Sequence, residues 1–267
     1  MSILEDIKSY KITEVADAKE HTPVQELRAR VTNAPRPRSL EKSLRTAATR
    51  GFGLIAEIKR SSPTRGELRP GLDPADCARA FEAGGAAALS VLTDHRSFNG
   101  SFADLTAARE ATSMPVLRKD FIVDEYQVLE SRARSADAIL LIMEILDPRQ
   151  AADLNAFAQD LGLEVVVETH TAVQVEAALS FGAAMIGINN RDLHTFTADL
   201  STSVELAKRC PSGTLVISES GLSRRGDLEF LAANGIHACL IGESLITQPD
   251  LTEAVRSILP TTPQETE

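Results

Sequence analysis

The stretch SFGAAMIG, residues 180–187, joins the end of one regular element to the start of the next. It passes from a helix-like segment through a glycine, which adopts a positive φ at low cost, into an apolar run typical of a buried strand. EAGGAAAL, residues 82–89, and AANGIHACL, residues 232–240, have the same order of features. The chain is therefore predicted to repeat one helix-to-strand unit.

Eight short apolar runs recur along the chain, and longer stretches with helical spacing separate them. Strict alternation of strand and helix implies parallel strands joined by right-handed crossovers. The predicted strands are 54–59, 87–92, 115–119, 138–142, 163–168, 184–189, 214–219 and 237–241. The predicted helices between them are 74–84, 102–111, 125–136, 148–161, 172–181, 201–209 and 224–234.

Eight such strands are the number that closes a (β/α)₈ TIM barrel of the α/β class. A doubly wound open sheet is the alternative, but no Gly-x-Gly-x-x-Gly follows the first strand, and the chain length fits a barrel. We expect residues 1–267 to form a single barrel domain, of which 1–50 are an N-terminal helical extension. Within it, 3–19 is predicted to be a helix and 31–39, VTNAPRPRS, a polar linker.

The net charge of -10 argues against binding to nucleic acid or to an anionic membrane, and it still allows a local basic pocket for an anionic small molecule. The three cysteines have no metal-ligand spacing, which indicates reduced thiols in the cytoplasm. The longest apolar run, 138–143, is far shorter than the ~20 residues of a membrane span. We also expect a monomer without metal or organic cofactor.

Polar side chains stand at the ends of five predicted strands. In LIAEIKRSSP, residues 54–63, Glu57 and Lys59 share one strand face. In a barrel the active groups lie at the carboxyl ends of the strands. Any one charge could be an exposed loop residue, but their occurrence on five strands favours a shared site. The other strand-end residues are Lys119, Glu168, Asn189, Arg191, Glu219 and Ser220.

Two glycine-containing turns, SESG at 218–221 and IGES at 241–244, follow the last two predicted strands. Backbone N–H groups in such turns bind phosphate, and many barrels place their phosphate site there. Both glycines could instead serve only the backbone of the turn. The predicted phosphate-binding residues are Ser220, Gly221, Gly242, Glu243 and Ser244.

Together these motifs resemble the indole-3-glycerol phosphate synthase family of tryptophan biosynthesis. The matching segments, from the N-terminal helix to Leu245, are GLIAEIKRSSPTRG, LSVLTD with FNGS, PVLRKDFIVDEYQV, ILLI, VVVET, IGINNRDL, ISESG and LIGESL. The resemblance implies a barrel with an extra N-terminal helix near its mouth. It also implies a carboxy-lyase that acts on 1-(2-carboxyphenylamino)-1-deoxyribulose 5-phosphate.

The resemblance implies catalytic roles for four residues. Lys119 would donate the proton to the ketone, and Glu168 would be the base of the dehydration. Lys59, with Ser62, would hold the leaving carboxylate or act as a second acid, and Glu57 would stay ionised and bond the sugar hydroxyls. The implied substrate-binding residues are Ser62, Phe98, Asn189, Arg191 and Glu219.

The chain departs from the family pattern at three loop positions. Thr64 and Arg65 stand where Ser and Lys are common, and Ser97 stands where a second aromatic residue often precedes Phe98. Two rival functions stay open at this point. One is another sugar-phosphate barrel enzyme, such as phosphoribosylanthranilate isomerase, and the other is a non-catalytic sugar-phosphate binding barrel. His170, in a loop near the rim, is expected to be a surface residue.

Overall fold

The computed structural model describes residues 3–63, 65–192 and 197–259. Eight parallel strands each pair with the next, and the eighth pairs with the first, which closes the predicted (β/α)₈ barrel. Their bounds lie within one residue of the predicted ones. The strands are β1 (Gly53–Ile58), β2 (Ala88–Leu92), β3 (Val116–Lys119), β4 (Ala138–Ile142), β5 (Glu164–Thr169), β6 (Met185–Asn189), β7 (Leu215–Glu219) and β8 (Ala238–Ile241).

The predicted helices lie between these strands, and local signals fix their ends. Asp73 accepts a hydrogen bond from the N–H of Asp76 at one N-terminus, and Gly85, with φ 103°, ends the same helix. The helices outside the barrel are Pro74–Gly84, Phe102–Ala111, Glu125–Ala133, Pro148–Asp160, Ala172–Ser180, Ser201–Ala207, Arg225–Ala233 and Leu251–Ile258. Short helices, His95–Phe98 and Glu243–Ile246, follow β2 and β8.

Three helices, Ile3–His21, Val24–Asn33 and Leu40–Ala48, precede the barrel. The prediction of a linker at 31–39 is therefore wrong in its first three residues. They belong to the helix Val24–Asn33, whose Leu27 packs with Tyr126 and Leu129 of a helix outside the barrel.

This extension runs from one end of the barrel to the other. Near the mouth, Lys8 Nζ donates to the carbonyl of Ile145, just beyond β4, over 2.7 Å. At the opposite end, Ser43 Oγ donates to the carbonyl of Ala87, just before β2, over 2.6 Å. The extension therefore contacts both ends of the barrel, as expected for an extension laid against it.

The barrel interior contains one apolar layer to which six strands contribute. Its members are at most 6% exposed and belong to one apolar cluster: Ile55, Leu117, Leu140, Val166, Ile217 and Leu240. Side chains two positions further along a strand also point into the barrel, and they lie nearer its mouth. Those positions carry the chemistry described next.

Candidate active site

Four ionisable side chains form a layer directly above the apolar layer. Glu57, Lys119, Glu168 and Glu219 each lie two residues beyond a member of that layer on the same strand. Glu57, Glu168 and Glu219 are at most 5% exposed. The structure therefore brings together four of the strand-end charges whose convergence the sequence predicted.

Lys119 lies at the centre of this layer. Its Nζ is 2.6 Å from Glu219 Oε2 and 3.2 Å from Glu168 Oε2. Burial opposes the charge of Lys119, but Glu219, Glu168 and Glu57 outweigh it and raise its pKa above the ordinary lysine value. Lys119 is therefore an ammonium group in this site and has a proton to give.

The two carboxylates beside Lys119 differ in their surroundings. Burial raises the pKa of Glu219 to about 7 despite the Lys119 charge, and Glu168 adds to the rise. Its Oε1 is buried and has no hydrogen-bond partner among the described residues. Burial acts on Glu168 in the same direction, but Lys119, His170 and the hydrogen bond from Asn189 together lower its pKa. Glu168 is therefore the carboxylate of the pair that ionises more readily.

A second ion pair stands at the end of β1. Lys59 Nζ lies 2.9 Å from Glu57 Oε1, and Ser90 Oγ of β2 lies 3.5 Å from the other oxygen of Glu57. Gly242, just after β8, leaves the space that the Glu57 carboxylate occupies, because a Cβ there would overlap its Oε1. Glycine at 242 therefore has a packing reason besides its place in a turn.

The end of β6 supplies the amide of this site. Asn189 Nδ2 donates to Glu168 Oε1 over 3.2 Å, and its Oδ1 accepts from the N–H of Arg191 over 3.0 Å. Arg191 also forms an isolated backbone bridge with Ala198. Asn189 thus orients Glu168 and is itself held by the backbone.

Loops after β1, β2 and β3 form another side of the mouth. Ser62 is buried in the short hairpin of Ser61–Ser62 and Gly66–Glu67, and its Oγ accepts from the N–H of Arg65 over 3.2 Å. Phe98 stacks on Phe121, with ring centroids 6.2 Å apart. These loops add an apolar ring pair and a hydroxyl to the charged layer. Thr64, one of the departures noted above, lies outside the described residues.

The two predicted phosphate turns lie side by side, because β7 and β8 are neighbours. Ser220 and Gly221 have φ values of 68° and 80°, and Ser244 Oγ donates to the carbonyl of Leu222 over 2.9 Å. Arg65 Nε lies 2.9 Å from Glu243 Oε1, which connects the loop after β1 to the second turn. Consecutive N–H groups in such turns form a concave site for anions.

Sequence reasoning missed two residues of this site. The expectation that His170 is a surface residue is wrong: its side chain is 11% exposed, and Nε2 lies 3.8 Å from Glu168 Oε1. Its position two residues beyond Glu168 was the available signal, because both side chains then point to the same side. Ser90 could have been found by the same rule, since it lies two residues beyond the inward-facing Ala88.

The described part of the chain contains neither a candidate membrane span nor a candidate metal site. No helix there is long and apolar enough to cross a membrane. No group of three His, Cys, Asp or Glu side chains is arranged to hold a metal ion in residues 3–63, 65–192 or 197–259.

Comparisons with known proteins indicate one family. A family model described as indole-3-glycerol phosphate synthase matches residues 4–258. The curated indole-3-glycerol phosphate synthase of Rhizorhabdus wittichii is 45% identical over 260 residues, which cover 94% of this chain and 98% of that protein. The protein of the same name from Aromatoleum aromaticum is 44% identical over 257 residues, covering 96% and 98%.

Solved structures resemble the chain at lower identity. A thiamine phosphate pyrophosphorylase from Pyrococcus furiosus superimposes with a TM-score of 0.59 at 14% identity, over 78% of this chain and 93% of that one. A chain of the tryptophan synthase α2β2 complex from the same organism gives 0.58 at 15% identity, over 78% and 98%. At such identities the likeness shows the barrel fold alone.

Proposed function

The chain belongs to the indole-3-glycerol phosphate synthase family, and from this premise we propose that it closes the indole ring of 1-(2-carboxyphenylamino)-1-deoxyribulose 5-phosphate. The reaction releases carbon dioxide and water, which makes the chain a carbon–carbon carboxy-lyase of tryptophan biosynthesis. One observation carries the proposal: Lys119 lies between Glu168 and Glu219 in the layer that also holds Glu57.

Ring closure needs an acid at the ketone. The ring carbon that bears the carboxylate attacks the ketone carbon, and the ketone oxygen takes a proton from Lys119 as its charge develops. The bond to the carboxylate then breaks, carbon dioxide leaves, and the electron pair returns to the ring. Lys59, close to Ser62 in the chain, holds that carboxylate beforehand, while Glu57 pairs with Lys59 over 2.9 Å and bonds the sugar hydroxyls.

Dehydration needs a base and a leaving water. The former ketone oxygen, now a hydroxyl, takes a second proton from Lys59, which the departure of carbon dioxide has freed, and it leaves as water. Glu168 accepts the proton that the new ring loses, and its low pKa keeps it ionised for this task. Asn189 orients the carboxylate through the 3.2 Å hydrogen bond. For the carboxylate form of the substrate, the net change is uptake of one proton and loss of one carbon dioxide and one water.

Binding groups surround this centre in the proposal. Ser62, Phe98, Asn189, Arg191 and Glu219 orient the substrate, and correct orientation supplies several kcal/mol of barrier reduction, on the order of 7 or more. The phosphate lies in the two turns after β7 and β8. The residues of that cradle are Ser220, Gly221, Gly242, Glu243 and Ser244.

The direct experiment follows indole absorbance after the purified chain is mixed with the anthranilate-derived ribulose phosphate. A Lys119→Met preparation, made identically, removes the contribution of any host enzyme. Turnover by the wild type alone supports the proposal. Turnover of phosphoribosylanthranilate instead would favour the isomerase, and binding without turnover would favour a sugar-phosphate binding barrel.

The proposal includes further expectations. The protein is a cytoplasmic monomer, and residues 1–267 unfold as one domain that includes the 1–50 extension. Light scattering gives the mass in solution, and one cooperative transition seen by several probes supports one domain.

The substrate is a small anionic sugar phosphate, and neither nucleic acid nor membrane is a partner. No metal or organic cofactor takes part in the steps above.

The pH dependence of the reaction should report Glu219. Below its pKa of about 7 this carboxyl takes a proton, which leaves Glu168 as the ionised carboxylate on Lys119. We expect kcat/KM to rise as the pH increases through about 7, because Glu219 ionises there in the free enzyme. Glu219→Gln should remove this rising limb. A variant that keeps the limb at the same midpoint would assign it to another group.

Replacing Gly187 with alanine is expected to lower activity. A Cβ there would overlap Glu219 Oε1 and lie 3.2 Å from Val166 Cγ1, so Gly187→Ala must displace the carboxylate that binds Lys119. We expect kcat/KM to fall by about tenfold or more. Gly226→Ala is the matched control, since its Cβ meets nothing within 4 Å. Equal activity of the two variants would show that Glu219 has no fixed place in catalysis.

A further inference from the structure

A buried charge cluster connects the first helix to the barrel mouth. Lys11, in the helix Ile3–His21, has its Nζ 2.6 Å from Asp94 Oδ1 and 3.0 Å from Asp120 Oδ1. Lys11 is 4% exposed, Asp94 0% and Asp120 4%. Asp94 follows β2 and Asp120 follows β3, so one ammonium group joins the ends of two neighbouring strands. A lysine is rarely buried this completely unless paired.

Each of the two carboxylates holds a segment that carries an aromatic ring. Asp94 Oδ2 accepts from the N–H of Ser97 over 2.7 Å and caps the short helix His95–Phe98. Asp120 Oδ1 accepts from the N–H of Phe121 over 2.8 Å. The rings of Phe98 and Phe121 then stack with an interplanar angle of 29°. Lys11 therefore binds the two anchors on which this ring pair depends.

The four buried charges of the cluster are two cations and two carboxylates. Arg118 Nη2 lies 3.0 Å from Asp120 Oδ2, so Lys11 and Arg118 face Asp94 and Asp120. Glu14, on the same helix, also binds Lys11, over 2.8 Å, and Tyr10 OH donates to Asp94 Oδ1 over 3.0 Å. Burial opposes the charge of Lys11, but Asp120 and Asp94 raise its pKa. Removing Lys11 leaves a buried carboxylate without its cation.

The cluster also touches the catalytic layer through the backbone. Asp120 is the next residue after Lys119, and the N–H of Thr93, beside Asp94, donates to the carbonyl of Lys119 over 3.1 Å. A shift of the backbone at 93–94 or at 120 therefore moves Lys119. Displacements of about 1 Å at a distance from the chemistry can lower turnover about 10²-fold.

We propose that Lys11 is a positioning residue, which binds Asp94 and Asp120 together and so fixes Phe98 and Phe121 as the wall beside the substrate's aromatic ring. This inference rests on the proposed function. Lys11 acts through the two carboxylates and their backbone. We expect a change at Lys11 to alter how the aromatic ring of the substrate is held, and not how its phosphate is bound.

The test compares two lysines of the same helix. Lys19 pairs with Asp124 over 2.7 Å, as Lys11 pairs with its partners, but the side chains of that pair are 43% and 34% exposed. We expect Lys11→Met to lower kcat by about tenfold to 10²-fold, with inhibition by inorganic phosphate unchanged within about twofold. Lys19→Met should match the wild type, because exposed ion pairs contribute little. Lys11→Arg should recover part of kcat.

Each outcome decides the inference. A folded Lys11→Met with wild-type kcat overturns it, and so does a variant whose phosphate inhibition weakens as much as its turnover. Should the single variant fail to fold, Lys11→Met/Asp94→Asn removes the unpaired charge. That double variant must still lose kcat, and full activity would overturn the inference. A wild type without turnover of the ring-closure substrate would instead refute the proposed function.

Discussion

Replacing Lys119 with methionine is expected to lower kcat by about 10³-fold, the largest effect of any single change in the chain. Methionine keeps the length and apolar stem of the side chain but has no proton to give. It also leaves Glu168 and Glu219 without the ammonium group they share at 3.2 and 2.6 Å. Both proton donation and the electrostatic balance of the site are lost together.

A second variant separates these two losses. Lys119→Arg retains a positive charge, but a guanidinium group does not release its proton at working pH. We expect it to remain about as inactive as Lys119→Met and to unfold at a higher temperature, because its charge still pairs with the carboxylates. Breaking the buried pair in the methionine variant costs about 3–5 kcal/mol. Wild-type kcat in Lys119→Arg would refute proton donation by Lys119.

Glu168→Gln is expected to have the second largest effect, a decrease in kcat of about 10²-fold to 10³-fold. Glutamine has nearly the same shape and can still contact Lys119 and Asn189, but it does not accept the proton of the dehydration step. Loss of this step should let the ring-closed, still hydroxylated intermediate accumulate. Rapid quenching with mass detection would show it as a species one water heavier than the indole product.

The control for this variant lies on the same strand. Glu164 begins β5 at the opposite end of the barrel, where it accepts hydrogen bonds from Ser39 Oγ over 2.6 Å and from the N–H of Glu41 over 2.8 Å. Glu164→Gln should lower stability slightly and leave kcat unchanged within about twofold. If Glu168→Gln keeps wild-type kcat with its fold intact, another group is the base.

The strands were predictable because their signals are local. Each strand is a short apolar run, and a turn with a glycine such as Gly182 or Gly235 precedes several of them. Helix Glu125–Ala133 ends three residues earlier than predicted, since Ser135 adopts a φ of 65° that its sequence does not announce. Helix Val24–Asn33 was missed because its single buried residue, Leu27, gives almost no apolar period.

The sequence was enough to predict which residues belong to the candidate site, but not which of their side chains form ion pairs. Parity and strand ends were enough to predict that Glu57, Lys119 and Glu168 converge. That Lys119 binds Glu219 more closely than Glu168 depends on the stagger of the closed barrel, which no local pattern contains. His170 was misread for the same reason, because its burial depends on the neighbouring strands. The roles of these residues remain predictions that the variants above test.

The apolar layer inside the barrel affects the route by which protons reach the ionisable groups. Its members are Ile55, Leu117, Leu140, Val166, Ile217 and Leu240. These buried apolar side chains offer water no hydrogen-bond partner, and they lie between the ionisable groups and the far end of the barrel. Protons must then enter and leave by the same opening as the substrate. We therefore expect these groups to exchange protons with solvent more slowly while substrate or product occupies that opening.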